Sequence, residues 1–246
     1  MKSAHHILIT CEHGGNLVPP AYRGLFARYQ TLLLTHQAFD AGALTLAKDL
    51  AARLNATLFY SKTTRLLVDL NRSLGHPQLL SAITRKLSPA ARHKLIALHY
   101  RPYRAAIESH VAEMISRRER VIHFASHSFS PELNGRVREA DIGLLYDPAR
   151  EGEAALAQAL KTAIESLEPS LKVRRNVPYK GTSDGLTAAL RRVHPEESYL
   201  GIELEVNQKH VLVKNRHWPR LRSAVIKAVV STLADFSHTR PRAEGD

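Results

Sequence analysis

One cysteine in 246 residues, Cys11, leaves no partner for an intrachain disulfide and fits a reducing compartment. The cytoplasm is therefore the expected location. No stretch approaches the roughly 18 uninterrupted apolar residues of a membrane-crossing helix, so no membrane partner is expected. Met1-Lys2-Ser3-Ala4-His5-His6 leads into an apolar run of strand length only, which predicts no secretory signal. Aromatic residues make up 6% of the chain, thin for a platform that stacks bases. Acids are also short: 23 Asp and Glu stand against 35 Lys and Arg, a net charge of +12. Such an excess suits nucleic acid, an anionic membrane or the steering of an acidic small substrate. The densest basic runs are Arg117-Arg118-Glu119-Arg120 and Lys172-Val173-Arg174-Arg175. No RNA-recognition signature, zinc finger or heptad-linked basic region accompanies them. The charge reads as a solvated surface, with a small molecule as partner and no nucleic acid. Nothing in the pattern sets the oligomeric state.

What is present is a globular composition, 44% hydrophobic and 24% charged, sufficient for one sizeable core. Strand-like and helix-like periods alternate along it. Strands are expected at Ile7–Ile9, Thr57–Tyr60, Leu66–Leu70, Val121–Ala125, Ile142–Tyr146, Lys172–Arg175 and Tyr199–Val206. Helices are expected over Phe39–Leu54, Glu151–Leu167, Ser183–Arg192 and Trp218–Phe236. A further long helix should open at Ser88, with Pro89 in its first turn, and run towards Arg117 with a kink at Pro102. This order predicts an α/β fold: a single-domain, mixed and mostly parallel sheet flanked by helices on both faces, over residues 1–237. Residues 238–246 read as a polar, disordered tail.

The segment Ile7-Leu8-Ile9-Thr10-Cys11-Glu12-His13-Gly14-Gly15-Asn16 carries the chemistry most densely. A buried strand that ends in a tight glycine turn is where open α/β sheets place their ligands. Gly14 and Gly15 let the backbone bend and approach closely, and Glu12 and His13 are types that bind metal or move protons. Cys11, beside them, reads as packed core rather than as a nucleophile. Other strand ends deliver Arg72, His127 and Glu205. Two imidazoles and a carboxylate from separate strands can hold a catalytic zinc, and a further carboxylate can shuttle the proton. Glu203 and Glu205 share one face of their strand, and two acids on an otherwise apolar strand are costly without a purpose.

Glu12-His13-Gly14-Gly15-Asn16, Phe39-Asp40-Ala41-Gly42-Ala43, Val68-Asp69-Leu70-Asn71-Arg72, His127-Ser128-Phe129-Ser130-Pro131 and Glu205-Val206-Asn207 lie in order along the chain. Together they resemble the successive motifs of the N-formylglutamate amidohydrolase family. That family is related to the zinc carboxypeptidases and aspartoacylases, so the resemblance implies a zinc-carboxypeptidase-like, phosphorylase/hydrolase-like fold. It also implies hydrolysis of N-formyl-L-glutamate to formate and L-glutamate, a step of histidine degradation, with one Zn2+ or another divalent metal per chain. Carried over residue by residue, His13 and His127 become the metal ligands. Asn16 stands where the related carboxypeptidases have a ligating Glu, so the third ligand is either Glu12 or Asp40. Asp40 alternatively orients a histidine.

The resemblance places the general base at Glu205, with Glu203 as fallback. A substrate with two carboxylates calls for guanidinium partners, which points to Arg72, with Asn71 beside it and Lys180 in the loop before a helix. Two departures from the family pattern bear on the substrate. Ala125 stands where an acid is usual, and Gln208 stands where an arginine is expected. They open the alternative of a zinc hydrolase acting on a different N-acyl amino acid. A more remote alternative, set by the charge, is a non-catalytic nucleic-acid-binding protein. His99, in His99-Tyr100-Arg101-Pro102-Tyr103-Arg104, is balanced between packing and site, and His36 is placed to reach the site from a loop.

Overall fold

The computed structural model describes residues 5–213 and 217–236. The expected tail, 238–246, lies outside the described residues. Eight strands form: β1 (His5–Cys11), β2 (Thr57–Tyr60), β3 (Arg120–Phe129), β4 (Glu132–Leu133), β5 (Arg136–Val137), β6 (Ile142–Leu145), β7 (Val173–Arg175) and β8 (Tyr199–Asn207). Among them run helices α1 (Gln30–Leu33), α2 (Ala43–Leu54), α3 (Pro89–Leu95), α4 (Arg101–Ser116), α5 (Glu151–Leu167), α6 (Leu186–Val193), α7 (Lys209–Leu212) and α8 (His217–Phe236). No helix among the described residues is long and apolar enough to cross a membrane.

Six strands make one sheet in the order β2-β1-β3-β8-β6-β7, and β4 and β5 form a small hairpin. β2, β1, β3 and β8 are mutually parallel, and β6 with β7 runs the other way, antiparallel to β8. The mixed, mostly parallel sheet predicted from the sequence is what forms. From β1 the chain steps outward to β2 and returns to β3 on the other side of β1, so the strand order reverses at β1. Ligand crevices of open α/β sheets open at such reversals.

Period-two alternation sorts the strand side chains onto two faces. Ile9, Cys11, Ile122, Phe124, Leu200, Ile202, Leu204 and Val206 join one apolar cluster under α2, α5 and α8. Leu8, Val121 and Tyr199 join a second cluster with Ile107 and Val111 of α4 and Leu186 and Leu190 of α6. Each fully buried aliphatic side chain contributes about 1.5–3 kcal/mol. Both layers therefore contribute substantially to the stability of the fold. On the α4–α6 face the strand ends turn polar, and that is where the site sits.

Three expectations need correcting. Leu66–Leu70 forms no strand, although all five of its side chains are buried. Its backbone groups bond locally, Leu67 N–H to the Thr64 carbonyl and Asp69 N–H to the Leu79 carbonyl. Its leucine and valine side chains fill a third apolar cluster with Phe26, Leu79, Leu95 and Tyr100. A short apolar run signals burial, and burial does not require a sheet. The long helix from Ser88 is broken earlier than Pro102: a π-helical turn, Ile96–Tyr100, separates α3 from α4, and Pro102 sits in the first turn of α4. Finally, α2 starts at Ala43 and not at Phe39, because Gly42 (φ +81) takes the left-handed conformation at its N-cap.

Candidate active site

The carboxyl ends of β1, β3 and β8 carry Glu12 and His13, His127, and Glu203 with Glu205. Register places His127 beside Glu205, and Ala125 between Thr10 and Glu203. Asp40 precedes α2, and its N–H donates to the His13 carbonyl at 2.9 Å, which ties that loop to the end of β1. The glycine pair acts by close approach. A Cβ at Gly15 would lie 2.6 Å from the Lys62 carbonyl oxygen, and one at Gly14 would lie 2.9 Å from that of Ser61. The turn after β1 is thereby pressed against the segment leaving β2, which carries on into Arg65, Asp69, Asn71 and Arg72.

The polar centre is a pair of imidazoles among carboxylates, all buried. Asp40 Oδ2 lies 2.8 Å from His127 Nδ1 and 3.3 Å from His13 Nδ1. The second ring nitrogens also meet acids. His13 Nε2 is 2.7 Å from Asp69 Oδ1, and His127 Nε2 is 3.1 Å from Glu12 Oε2, an ion-pair contact short of an aligned hydrogen bond. Arg65 donates from Nη2 and Nε to Asp69 Oδ2 at 2.7 and 3.1 Å, and its Nη1 lies 3.5 Å from Asp40. The Tyr103 hydroxyl donates to Glu12 Oε1 at 3.0 Å.

Burial works against every charge here, and the mutual pairing overcomes it. Burial alone would raise the Glu12 carboxyl, but the His127 ring beside it, with His123 and Thr10, brings it down to about 2. Burial is likewise outweighed at Asp40 by the two imidazoles, and at Asp69 by Arg65 and His13, so both stay far below the usual carboxylate range. Burial would lower His127, yet Asp40 and Glu12 lift it well above its ordinary value, and Asp69 and Asp40 lift His13. Glu205 goes the opposite way. Burial first, then Asp40 and Glu203, push it up to about 8.

His13, Asp40 and His127 each offer a ligand atom, and these atoms lie within 4.8 Å of one another. Two imidazoles and one carboxylate are a donor set suited to zinc. Each ring's second nitrogen meets a carboxylate, the arrangement that fixes the tautomer and orientation of a metal-binding histidine. The residues present thus fit a divalent cation. Glu12 stands outside the donor set, with its two oxygens facing Tyr103 and His127.

A cavity of about 530 Å³ opens over this centre. Of the residues singled out from sequence, it is lined by His13, Asp40, His127, Asn71, Arg72, Lys180, Glu203 and Glu205, whereas Glu12 lies beneath it. Glu203 accepts a bond of 2.6 Å from the Thr187 hydroxyl, while Glu205 Oε2 is buried without a hydrogen-bond partner. Arg72 donates from Nη1 to the Asp184 carbonyl and keeps a buried Nε unpartnered. Asn71 accepts the Leu186 N–H at 2.7 Å, which caps the first turn of α6, and its Nδ2 is 3.4 Å from His127 Nε2. Lys180 and His36 both line the wall.

His99 instead packs edge-on against Tyr22, with ring centroids 5.4 Å apart. Cys11 is buried in the apolar core with its thiol pushed well up, chiefly by burial. Ala125 is a buried methyl, and Gln208 donates to the Ser128 hydroxyl at 3.0 Å, fastening the ends of β3 and β8 together. Sequence reasoning missed Arg65, which has no motif around it, and Tyr103, which lay in a segment noted for His99 instead. It also missed Asp69 as the partner of His13 and Arg65.

The model of the N-formylglutamate amidohydrolase family matches residues 5–212. No protein with a curated description matches the chain. Among solved structures, gene product Atu2144 from Agrobacterium tumefaciens is 28% identical, with 93% of this chain and 90% of that one covered and a TM-score of 0.80. N-formylglutamate amidohydrolase from Ralstonia eutropha JMP134 is 20% identical over 96% of this chain and 95% of its own, with a TM-score of 0.71. The second likeness is one of fold.

Proposed function

Because the chain belongs to the N-formylglutamate amidohydrolase family, and is thus a hydrolase of amide bonds, we propose that it cleaves the N-acyl amide of a small amino acid, N-formyl-L-glutamate foremost. Water adds and the C–N bond breaks, giving formate and L-glutamate. The observation that carries this reading is the donor set His13, Asp40 and His127 in a cavity whose wall also includes Glu205. A zinc ion held by those three residues would polarise the acyl carbonyl and acidify the attacking water.

The chain's own groups do the rest. Glu205 takes the proton of the attacking water and returns it to the leaving amine. A carboxyl poised near neutrality, as burial sets it, suits both directions of transfer. Glu203, held by Thr187, shapes the wall beside it. Arg72, in the cavity wall, offers its guanidinium to a substrate carboxylate, and Lys180 adds a second cation. Arg65 is committed to Asp69 and Asp40, so it serves the centre and not the substrate.

A panel of N-formyl, N-acetyl and N-succinyl derivatives of glutamate, aspartate and a neutral amino acid tests the substrate. The expected result is the highest kcat/KM on N-formyl-L-glutamate, with neutral amino acids poor. Preference for another acyl group would favour the second reading, a related deacylase, which the departures at Ala125 and Gln208 support. No turnover of any acyl amino acid by the zinc-loaded chain would overturn both.

A further inference from the structure

The start of α4 contributes nothing to the cavity wall, yet two of its side chains and that of the residue just before it reach the site's supports. Tyr100, Tyr103 and Arg104 stand at i, i+3 and i+4, one face of a helix. Tyr103 donates its hydroxyl to Glu12 Oε1 at 3.0 Å, with the Phe59 carbonyl further off at 3.4 Å. The Tyr100 hydroxyl donates to the Arg72 carbonyl at 2.7 Å. Arg104 Nη1 lies 3.4 Å from the Leu70 carbonyl and 3.5 Å from that of Arg72. The π-helical turn Ile96–Tyr100 ends on the first residue of this face, and such turns insert an extra residue that re-aims the side chains around it.

We infer that this turn is a two-armed positioning device, in which Tyr103 sets Glu12, and through it His127, while Tyr100 sets Arg72. The inference rests on the proposed metal site and substrate clamp. Glu12 is wholly buried, with one oxygen on Tyr103 and the other 3.1 Å from His127 Nε2. A buried carboxylate without its donor has no water to replace it, so it shifts or reorients. The ring it faces is then less well aimed at Asp40 and the metal. The other arm acts on the backbone: the Arg72 carbonyl held by Tyr100 fixes where the guanidinium projects. The two arms are separable, because they end on different atoms of different segments.

The test titrates the intact chain, stripped of metal, with zinc against a chromophoric chelator, and measures KM on the best substrate from the panel. Tyr103→Phe keeps the ring and its packing; it should weaken zinc binding about 10-fold, the low end of the cost of losing a partner that orients a metal ligand, because it acts one step further out through Glu12. Tyr100→Phe should leave zinc affinity within about twofold and raise KM. In a Glu12→Leu background, which has no oxygen left to accept the Tyr103 hydroxyl, Tyr103→Phe should cost almost nothing further, since its route has been removed. Equal zinc affinity in parent and Tyr103→Phe overturns the inference while leaving the metal site standing. So does a Tyr103 effect that persists undiminished without the Glu12 carboxylate. A parent chain that takes up no zinc overturns the metal site, and the inference falls with it.

Discussion

Replacing Glu205 by glutamine separates chemistry from binding and from folding. The carboxamide has the same shape, occupies a buried position with one oxygen unpartnered, and lies outside the donor set of His13, Asp40 and His127. It can neither take a proton from water nor return it to the amine. A positioned acid–base group is worth about 10²–10⁴ in rate, or roughly 3–5 kcal/mol of barrier. Glu205→Gln should therefore lose kcat by that factor and keep its zinc. Stability supplies an independent signature. In the stripped chain the carboxyl is raised from 4.5 to about 8, so the folded state holds a proton that the unfolded chain releases between those values. The contribution of Glu205 is neutral below 4.5 and becomes destabilising as pH rises through the window. It approaches about 5 kcal/mol above pH 8. Glutamine has no charge to bury, so the stripped variant should gain stability over the parent at pH 8.5 and match it near pH 4. Urea midpoints at the two pH values, with steady-state rates on the loaded enzyme, measure both. A Glu205→Gln enzyme within tenfold of parent kcat, beside a dead Glu203→Gln, would show that the wrong acid had been chosen.

Three further outcomes follow from the same geometry. His123 is buried with Thr10 on one ring nitrogen (2.8 Å) and Tyr199 on the other (2.7 Å), and burial depresses it to about 4. Its neutral form stabilises the fold fully above 6.5, and on the order of 3 kcal/mol is lost as pH falls from there to about 4. A urea series should show this loss in the parent and a flatter profile in His123→Gln. Gly15→Ala would drive a methyl into the Lys62 backbone, and overpacking of that kind costs about 1–3 kcal/mol. An unchanged melting temperature would refute the close-approach reading. Arg72→Lys should raise KM at least tenfold with zinc content unchanged, because an ammonium cannot supply the planar fork.

Much of this was legible because periodicity and chemistry coincided. Glu151–Leu167 and Thr57–Tyr60 form where the apolar spacing put them, and Glu203 and Glu205 share a face as strand alternation demands. His13 and His127 could be read because they stand at the ends of apolar runs. What brings Asp40 beside both histidines could not be read: its loop closes onto the His13 carbonyl, a contact across 27 positions that no local pattern encodes. Arg65 stands only four residues before Asp69, but in an irregular segment where no helical pattern marks that spacing as a pair. Leu66–Leu70 misled because buried loops and buried strands share a composition. Tyr103 had a detectable signal, the i, i+3, i+4 spacing with Tyr100 and Arg104, but its target lay in a distant segment.

Elemental analysis of untagged protein purified without chelators bears most directly on the central claim. About one divalent cation per chain is expected, zinc when zinc is supplied, with background levels in His13→Ala and His127→Ala. A chain that stays metal-free after incubation with zinc, or one that holds its metal undiminished in both variants, would contradict it.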